Sequence, residues 1–404
     1  MQKRILAVVF GTLLLDMIGT GMVFPIIPIL FTDPSSPAFM LAGYSKGAQF
    51  LVAGLITSLF GLMQFIAAPI LGELSDIYGR KKLLMLGVGI LAISQLLFGV
   101  GIIIGSITVL LITRAIAGIA AANLSIAQAT IADITEPKDR AKNFGLIGAA
   151  FGIGFILGPL LGGWIAALFQ NAAAPFWFSS ILGILNLLFV AFMLPETRKG
   201  IRETARKFHI LKGIHNIRAA LKDYDARPVY LTSFLYMSGF SFFVSFVGVL
   251  LVNRYGLTEA GIGTFFAFVG MCVVITQLFI LRFLTKYYNE KQILRVSLLC
   301  VGGALFLYPF MPSITILYFL VPVLAIPQGL SMANIGSLVS RSVSAEKQGA
   351  ALGINSSLVA FAQGVVPLVA GFGSGLIGIK APFIAGSILV FSAWLNLFIF
   401  SKRP

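Results

Sequence analysis

The chain is punctuated by apolar runs too long for the core of a soluble domain. Segments 5–30, 48–74, 83–104, 107–132, 142–169, 175–194, 228–252, 260–284, 291–311, 313–338, 348–376 and 381–401 are each long and apolar enough to cross a bilayer, which takes about 20 helical residues. In hydrocarbon a backbone satisfies its own N–H and C=O groups only as a helix or a closed barrel, and runs of this length predict helices. The twelve segments fill most of the 404 residues. Only 11% of the chain is charged, against about 25% in soluble domains. The expected fold class is therefore an all-α polytopic membrane protein. Lys3 and Arg4 before the first run invite a signal-peptide reading, but the run is too long, contains Asp16 and lacks a small-residue cleavage pattern, which predicts a retained helix.

The segments divide six and six around Pro195–Arg227, a stretch dense in Arg and Lys that holds both histidines, His209 and His215. Two six-helix bundles, 1–194 and 228–404, are expected, joined by a solvated cytoplasmic linker, 195–227. The net charge of +15 follows topology. With the N-terminus inside, the inner loops and tails carry Arg80, Lys81, Lys82, Lys138, Arg140, Lys142, the linker cluster, Arg282, Lys286, Lys291, Arg295, Arg341, Lys347, Lys402 and Arg403, whereas the outer loops carry only Lys46, Arg254 and Lys380. This bias places both termini in the cytoplasm and accounts for the charge without a nucleic-acid partner. Cys272 and Cys300 lie in apolar segments, with neither metal-ligand nor disulfide spacing. The halves also echo each other: Gly118 to Asn123 matches Gly329 to Asn334, and the start of segment five matches that of segment eleven. Parallel repeats of six helices with a midplane site are a transporter architecture.

One acid interrupts the first segment. Asp16 precedes Gly19, Gly21, Pro25 and Pro28, and an acid at a helix centre costs roughly 2.5–3.5 kcal/mol on insertion. It needs a partner or a task. Arg114 is the other clear full charge inside the membrane. Counting about 1.5 Å per residue from the segment ends puts the two at similar depth and predicts pairing, direct or through water. No acid lies inside a second-half segment, since Glu259, Glu290 and Glu346 fall at segment ends. Intramembrane polar residues, Gln64, Asn123, Gln128, Gln277, Gln328, Asn334, Asn355 and Gln363, are candidates for a substrate cavity. No catalytic cluster such as His-Glu-x2-His occurs and no metal set is present, so no enzyme is expected.

Three further motifs follow. Gly72, Asp76, Gly79 and Arg80 stand in a Gly-x3-Asp-x2-Gly-Arg pattern after segment two, and Asp133 lies in the next inner loop. Arg114-x3-Gly118 lies in segment four, and Gly154, Gly158, Pro159, Gly162 and Gly163 form Gly-x3-Gly-Pro-x2-Gly-Gly in segment five. Glycines at this spacing let another helix approach closely. With the Asp16 stretch, these motifs resemble the first-helix, loop, fourth-helix and fifth-helix motifs of the major facilitator superfamily, in particular its twelve-helix drug:proton antiporters, the group that includes tetracycline exporters. Ile77 departs from the loop pattern, where the family usually has a basic residue.

The resemblance implies a loop in which Asp76 and Arg80 help latch the two halves, with Asp133 as a partner for Arg80. It implies an arginine associated with proton transfer and, from the fifth-helix motif, export in exchange for protons. The expected protein is a monomeric inner-membrane transporter of a bacterium. It takes a small amphipathic organic substrate and needs no cofactor beyond protons. A proton-coupled nutrient importer is the alternative on the same fold.

Overall fold

The computed structural model describes residues 2–136, 140–198, 212–222, 226–343 and 348–400. Lys138, Asp139, His209, Lys347, Lys402, Arg403 and residues 199–211 and 223–225 of the 195–227 linker lie outside the described residues. Among the described residues there is no strand, and twelve helical stretches are long and apolar enough to span a membrane.

The first span is α1 (Gln2–Gly21) with α2 (Ile26–Thr32), followed by α3 (Lys46–Tyr78) and α4 (Arg80–Ile103). The fourth is α5 (Ile107–Ala120) with α6 (Asn123–Ile134), and α7 (Arg140–Phe169) and α8 (Ala174–Met193) complete the first six. A short amphipathic helix, α9 (Lys212–Lys222), precedes α10 (Arg227–Tyr255). The eighth span runs from α11 (Glu259–Ile275) through a π-turn at Thr276–Ile280 into α12 (Leu281–Leu284). The remaining spans are α13 (Glu290–Leu307), α14 (Ile314–Arg341), α15 (Gln348–Ile377) and α16 (Ala381–Phe400).

Packing within the halves repeats. In the first, α1 packs on α7 and α8, and α4 on α5 and α8; in the second, α10 packs on α15 and α16, and α13 on α14 and α16. The sequence echoes between segments four and ten thus sit on spans with equivalent neighbours. The chain forms two compact units that cut through two helices: Gly43–Ser58 at the start of α3 belongs with the second unit, and Thr258–Ala267 with the first. The first unit has an aliphatic core built from Val8, Leu13, Leu84, Ile126, Ala150 and Val190. The second has an aromatic one, in which buried Phe243 meets Tyr308 edge-on at 5.1 Å and Phe383 at 6.4 Å.

Two spans are broken, one in its last third and the other near its middle. In the first, helical bonding lapses over Met22–Pro25, because Pro25 has no N–H and disfavours helical geometry at the residue before it. The fourth span, expected as one continuous segment, breaks at Ala121–Ala122. The Ala121 carbonyl there accepts from Gln64 Nε2 at 3.1 Å, which satisfies a group that hydrocarbon would leave bare. In the second half Gln277 Nε2, in the π-turn, donates to the Gly329 carbonyl at 3.1 Å.

The segment-five glycines hold α7 against the first span. A Cβ on Gly158 would lie 2.8 Å from the Cα of Gly21 and from the Ile18 carbonyl, and one on Gly162 would lie 2.7 Å from the Cα of Met22. Gly154 faces Met17 in the same way, and Gly163 faces Glu259 and Ala260 of α11. The obstacles are largely backbone, so a side chain can enter only if the helices separate. Overpacking costs about 1–3 kcal/mol where side chains can yield, and Gly158→Val is expected to reach or exceed the upper end of that range. Thermal unfolding of purified protein checks this, since an unchanged midpoint would contradict the contact.

Candidate functional site

Asp16 is buried in α1 and its carboxyl is solvated by protein amides. Asn186 Nδ2 of α8 donates to Oδ1 at 3.0 Å, and Asn123 Nδ2, at the start of α6, donates to Oδ2 at 3.4 Å. The Asn186 amide also donates to the Thr12 carbonyl at 3.2 Å, and Thr20 Oγ1 donates to the Asp16 carbonyl at 2.8 Å. Space for this arrangement comes from small residues, because a Cβ on Gly87 of α4 would collide with the Asn123 amide. A narrow void beside the carboxyl is lined by Gly19, Leu91, Ala92, Gln95, Ser179 and Gly183. The break at Ala121–Ala122 puts Asn123 on the first turn of a new helix, so its side chain is placed by the interruption. Irregular backbone next to an ionisable group is how transporter sites are commonly built.

Of the pairing of Asp16 with Arg114 expected as direct or through water, the direct contact is not formed. Asp16 sits level with Asn123, and Arg114 lies nine residues earlier in the same span, about 13 Å along the axis at helical rise. Counting depth from predicted segment ends missed this offset. Arg114 is buried, with its guanidinium carbon 4.6 Å from the centre of the Phe60 ring and 5.9 Å from that of Phe98. Aromatic faces attract a desolvated cation. Its Nε and Nη1 have no hydrogen-bond partner.

The eight polar residues expected to line a cavity are divided between the two units. Gln64, Asn123 and Gln128 belong to the first unit and the other five to the second. Gln64 and Gln277 tie helices together, Asn334 donates to the Leu330 carbonyl of its own helix at 2.7 Å, and Asn355 accepts from Ser233 Oγ at 2.6 Å. Gln328 is buried with its side-chain oxygen unpartnered, Gln128 is half-buried and Gln363 is exposed. Asn186 and Gln95 were missed. Asn186 is the only carboxamide of segment 175–194, and position inside a membrane segment was the signal that singled out Asn123.

The loop motif closes around Arg80. Its Nε meets Asp133 Oδ2 at 2.9 Å, and its Nη2 meets Asp76 Oδ1 at 2.6 Å. Its Nη1 reaches Ser75 and the Gly72 carbonyl. The Glu196 carboxylate, also missed, accepts from the backbone N–H groups of Arg80 at 2.9 Å and Lys81 at 3.2 Å. An anion there complements the N-terminal dipole of α4. Gly79 has φ +95°, and a Cβ on it would strike that carboxylate. Ile77 leaves this network complete. In the second half, Glu290 at the start of α13 pairs with Arg341 at the end of α14 at 3.2 Å, a tie of reversed polarity.

Arg80→Ala would leave the partly exposed Asp133 without its cation. Breaking such a pair costs about 3–5 kcal/mol when fully buried, and the partly exposed Asp76 and Asp133 place the expected loss at the lower end. A double-mutant cycle with Asp133→Ala should give a coupling of about 0.5–3 kcal/mol, and Arg80→Lys should not restore the fork. Denaturation in detergent reads all three, and additive single effects would contradict the contact.

The sequence profile of the Major Facilitator Superfamily matches residues 9–326 and, again, 229–404. Tetracycline resistance protein, class C, of Escherichia coli is 29% identical over 91% of this chain and 89% of that relative. Multidrug resistance protein 2 of Bacillus subtilis (strain 168) is 25% identical over 74% and 71%, respectively. The crystal structure of the human organic anion transporter MFSD10 (TETRAN) superposes with a TM-score of 0.73 at 25% identity, covering 98% of this chain and 99% of that one. Twelve spans, two repeated halves and a profile match across most of the length identify a multi-pass membrane transporter rather than an enzyme, and the chain belongs to the Major Facilitator Superfamily.

Proposed function

We propose that this protein is a proton-coupled antiporter that exports small amphipathic organic molecules across a bacterial inner membrane, with both termini in the cytoplasm. The observation that carries this reading is the Asp16 cage. A group that loads and unloads a proton must be accommodated in both forms, and a fixed ion pair would stabilise only one. As a carboxylate, Asp16 accepts from the amides of Asn123 and Asn186. As a carboxylic acid it becomes a donor, and a flip of either amide presents an oxygen to receive its proton. Both amide oxygens are otherwise without partners.

Transport then follows from alternating access. Movement that changes water access to the carboxyl gives it different proton affinity in two states, and substrate binding to the deprotonated form biases the exchange. Arg114 contributes a fixed positive charge in the same half. Its unpartnered nitrogens favour a substrate that carries an anionic group, in keeping with the organic anion transporter among the similar structures. The tetracycline and multidrug resistance proteins among the relatives support export.

Inverted membrane vesicles with an imposed pH gradient, offered a panel in the outside medium that includes tetracycline and organic anions, test this function. Accumulation that collapses with the gradient is the expected outcome, and accumulation only in right-side-out vesicles would assign import instead. Asp16→Asn should abolish gradient-driven accumulation and preserve substrate counterflow. Uphill transport by that variant, driven by the pH difference, would overturn the proton role.

A further inference from the structure

On the side that carries the basic triplet Arg80-Lys81-Lys82, the ends of α3, α4 and α8 leave a groove of about 520 Å³. Its walls are aliphatic, with Leu74 from α3, Met85 and Leu86 from α4, and Leu187 from α8. Two polar groups stand on its rim, Tyr78 and Lys82. Both are exposed.

The triplet is divided in its commitments. Arg80 is consumed by Asp76 and Asp133, and Lys81 Nζ donates to the Ala191 carbonyl at 2.7 Å. Among the described residues, no acid is paired with Lys82. The groove therefore combines an apolar channel running toward the bilayer interior with a free ammonium and a phenol at its mouth. Tyrosine is favoured at the membrane interface, where its ring sits at headgroup level. Basic pockets between spanning helices bind anionic lipid headgroups.

We propose that this groove is a site for one anionic phospholipid. Its phosphate lies on the Lys82 ammonium and the Tyr78 hydroxyl, and its acyl chains cover Leu74, Met85, Leu86 and Leu187. Charge decides the lipid class. A zwitterionic headgroup brings its own cation and leaves nothing for Lys82 to neutralise, whereas a phosphatidylglycerol leaves one negative charge for it. The site lies two residues from Arg80, so an occupied groove braces the first turn of α4 from the lipid side.

The test is native mass spectrometry of the purified full chain, equilibrated in mixed micelles of phosphatidylglycerol and phosphatidylcholine. Wild-type protein is expected to retain one phosphatidylglycerol per chain in preference to phosphatidylcholine. Lys82→Glu should lower that retention by about fivefold or more, the loss expected from removing one lysine at an anionic surface. Lys286→Glu, an exposed basic residue in the second half, should leave it unchanged. Leu86→Trp fills the groove without altering charge and should also displace the lipid. It carries the test should Lys82→Glu not elute as a single species. Free glycerol phosphate should not compete, because it lacks the chains. Retention by Lys82→Glu equal to wild type, equal loss in Lys286→Glu, unaltered retention in Leu86→Trp, or equal retention of phosphatidylcholine would each overturn the site.

Discussion

A carboxyl group placed in hydrocarbon must be solvated by protein, and the first half of this molecule is arranged around meeting that need at Asp16. Two amides from different spans converge on it, one delivered by a break in the fourth span and the other by an asparagine in the sixth. Gly87 is small because the Asn123 amide occupies the space a side chain would take. Gln64 is polar because the break that delivers Asn123 exposes a carbonyl that must be paired. Four positions that read separately as curiosities are thus consequences of one buried acid.

The repeated halves have kept their packing and diverged in their charges. Equivalent helices pair in each half, and amides at Gln64 and Gln277 make matching ties to the fourth and tenth spans. The ion pairs at the basic ends run in opposite senses, with Arg80 on the N-terminal turn of α4 and Glu290 on that of α13. Glu290 suits the helix dipole by itself, whereas Arg80 needs Glu196 on the adjacent backbone amides to compensate. Packing geometry constrains both halves alike because the bilayer does; charge placement at the surface is free to vary.

Much of the architecture was legible because spanning helices announce themselves by length and polarity. The twelve spans and the Gly158 and Arg80 motifs could be read without coordinates. The partner of Asp16 could not. Depth counted from segment ends carries an error of a turn or more, and the interruption at Ala121–Ala122 has no proline or glycine to signal it. Alanine favours helix, so tertiary packing decides the conformation there. Glu196 was illegible for a different reason, since a carboxylate just beyond a helix end does not show which neighbouring helix it caps.

The length of α8 has a consequence for the cage. Its 20 residues extend about 30 Å, the thickness of an average hydrocarbon core, whereas the 33 residues of α3 leave ample slack. A span with no spare length is accommodated by the lipid, which thins beside it, and by flanking residues that reach for the interface. Asn186 rides on that helix, which packs on α1 and is bonded to it at Thr12 and Asp16. Any mismatch in thickness therefore falls on the lipid beside α8, and the carboxyl and its amide keep a common height.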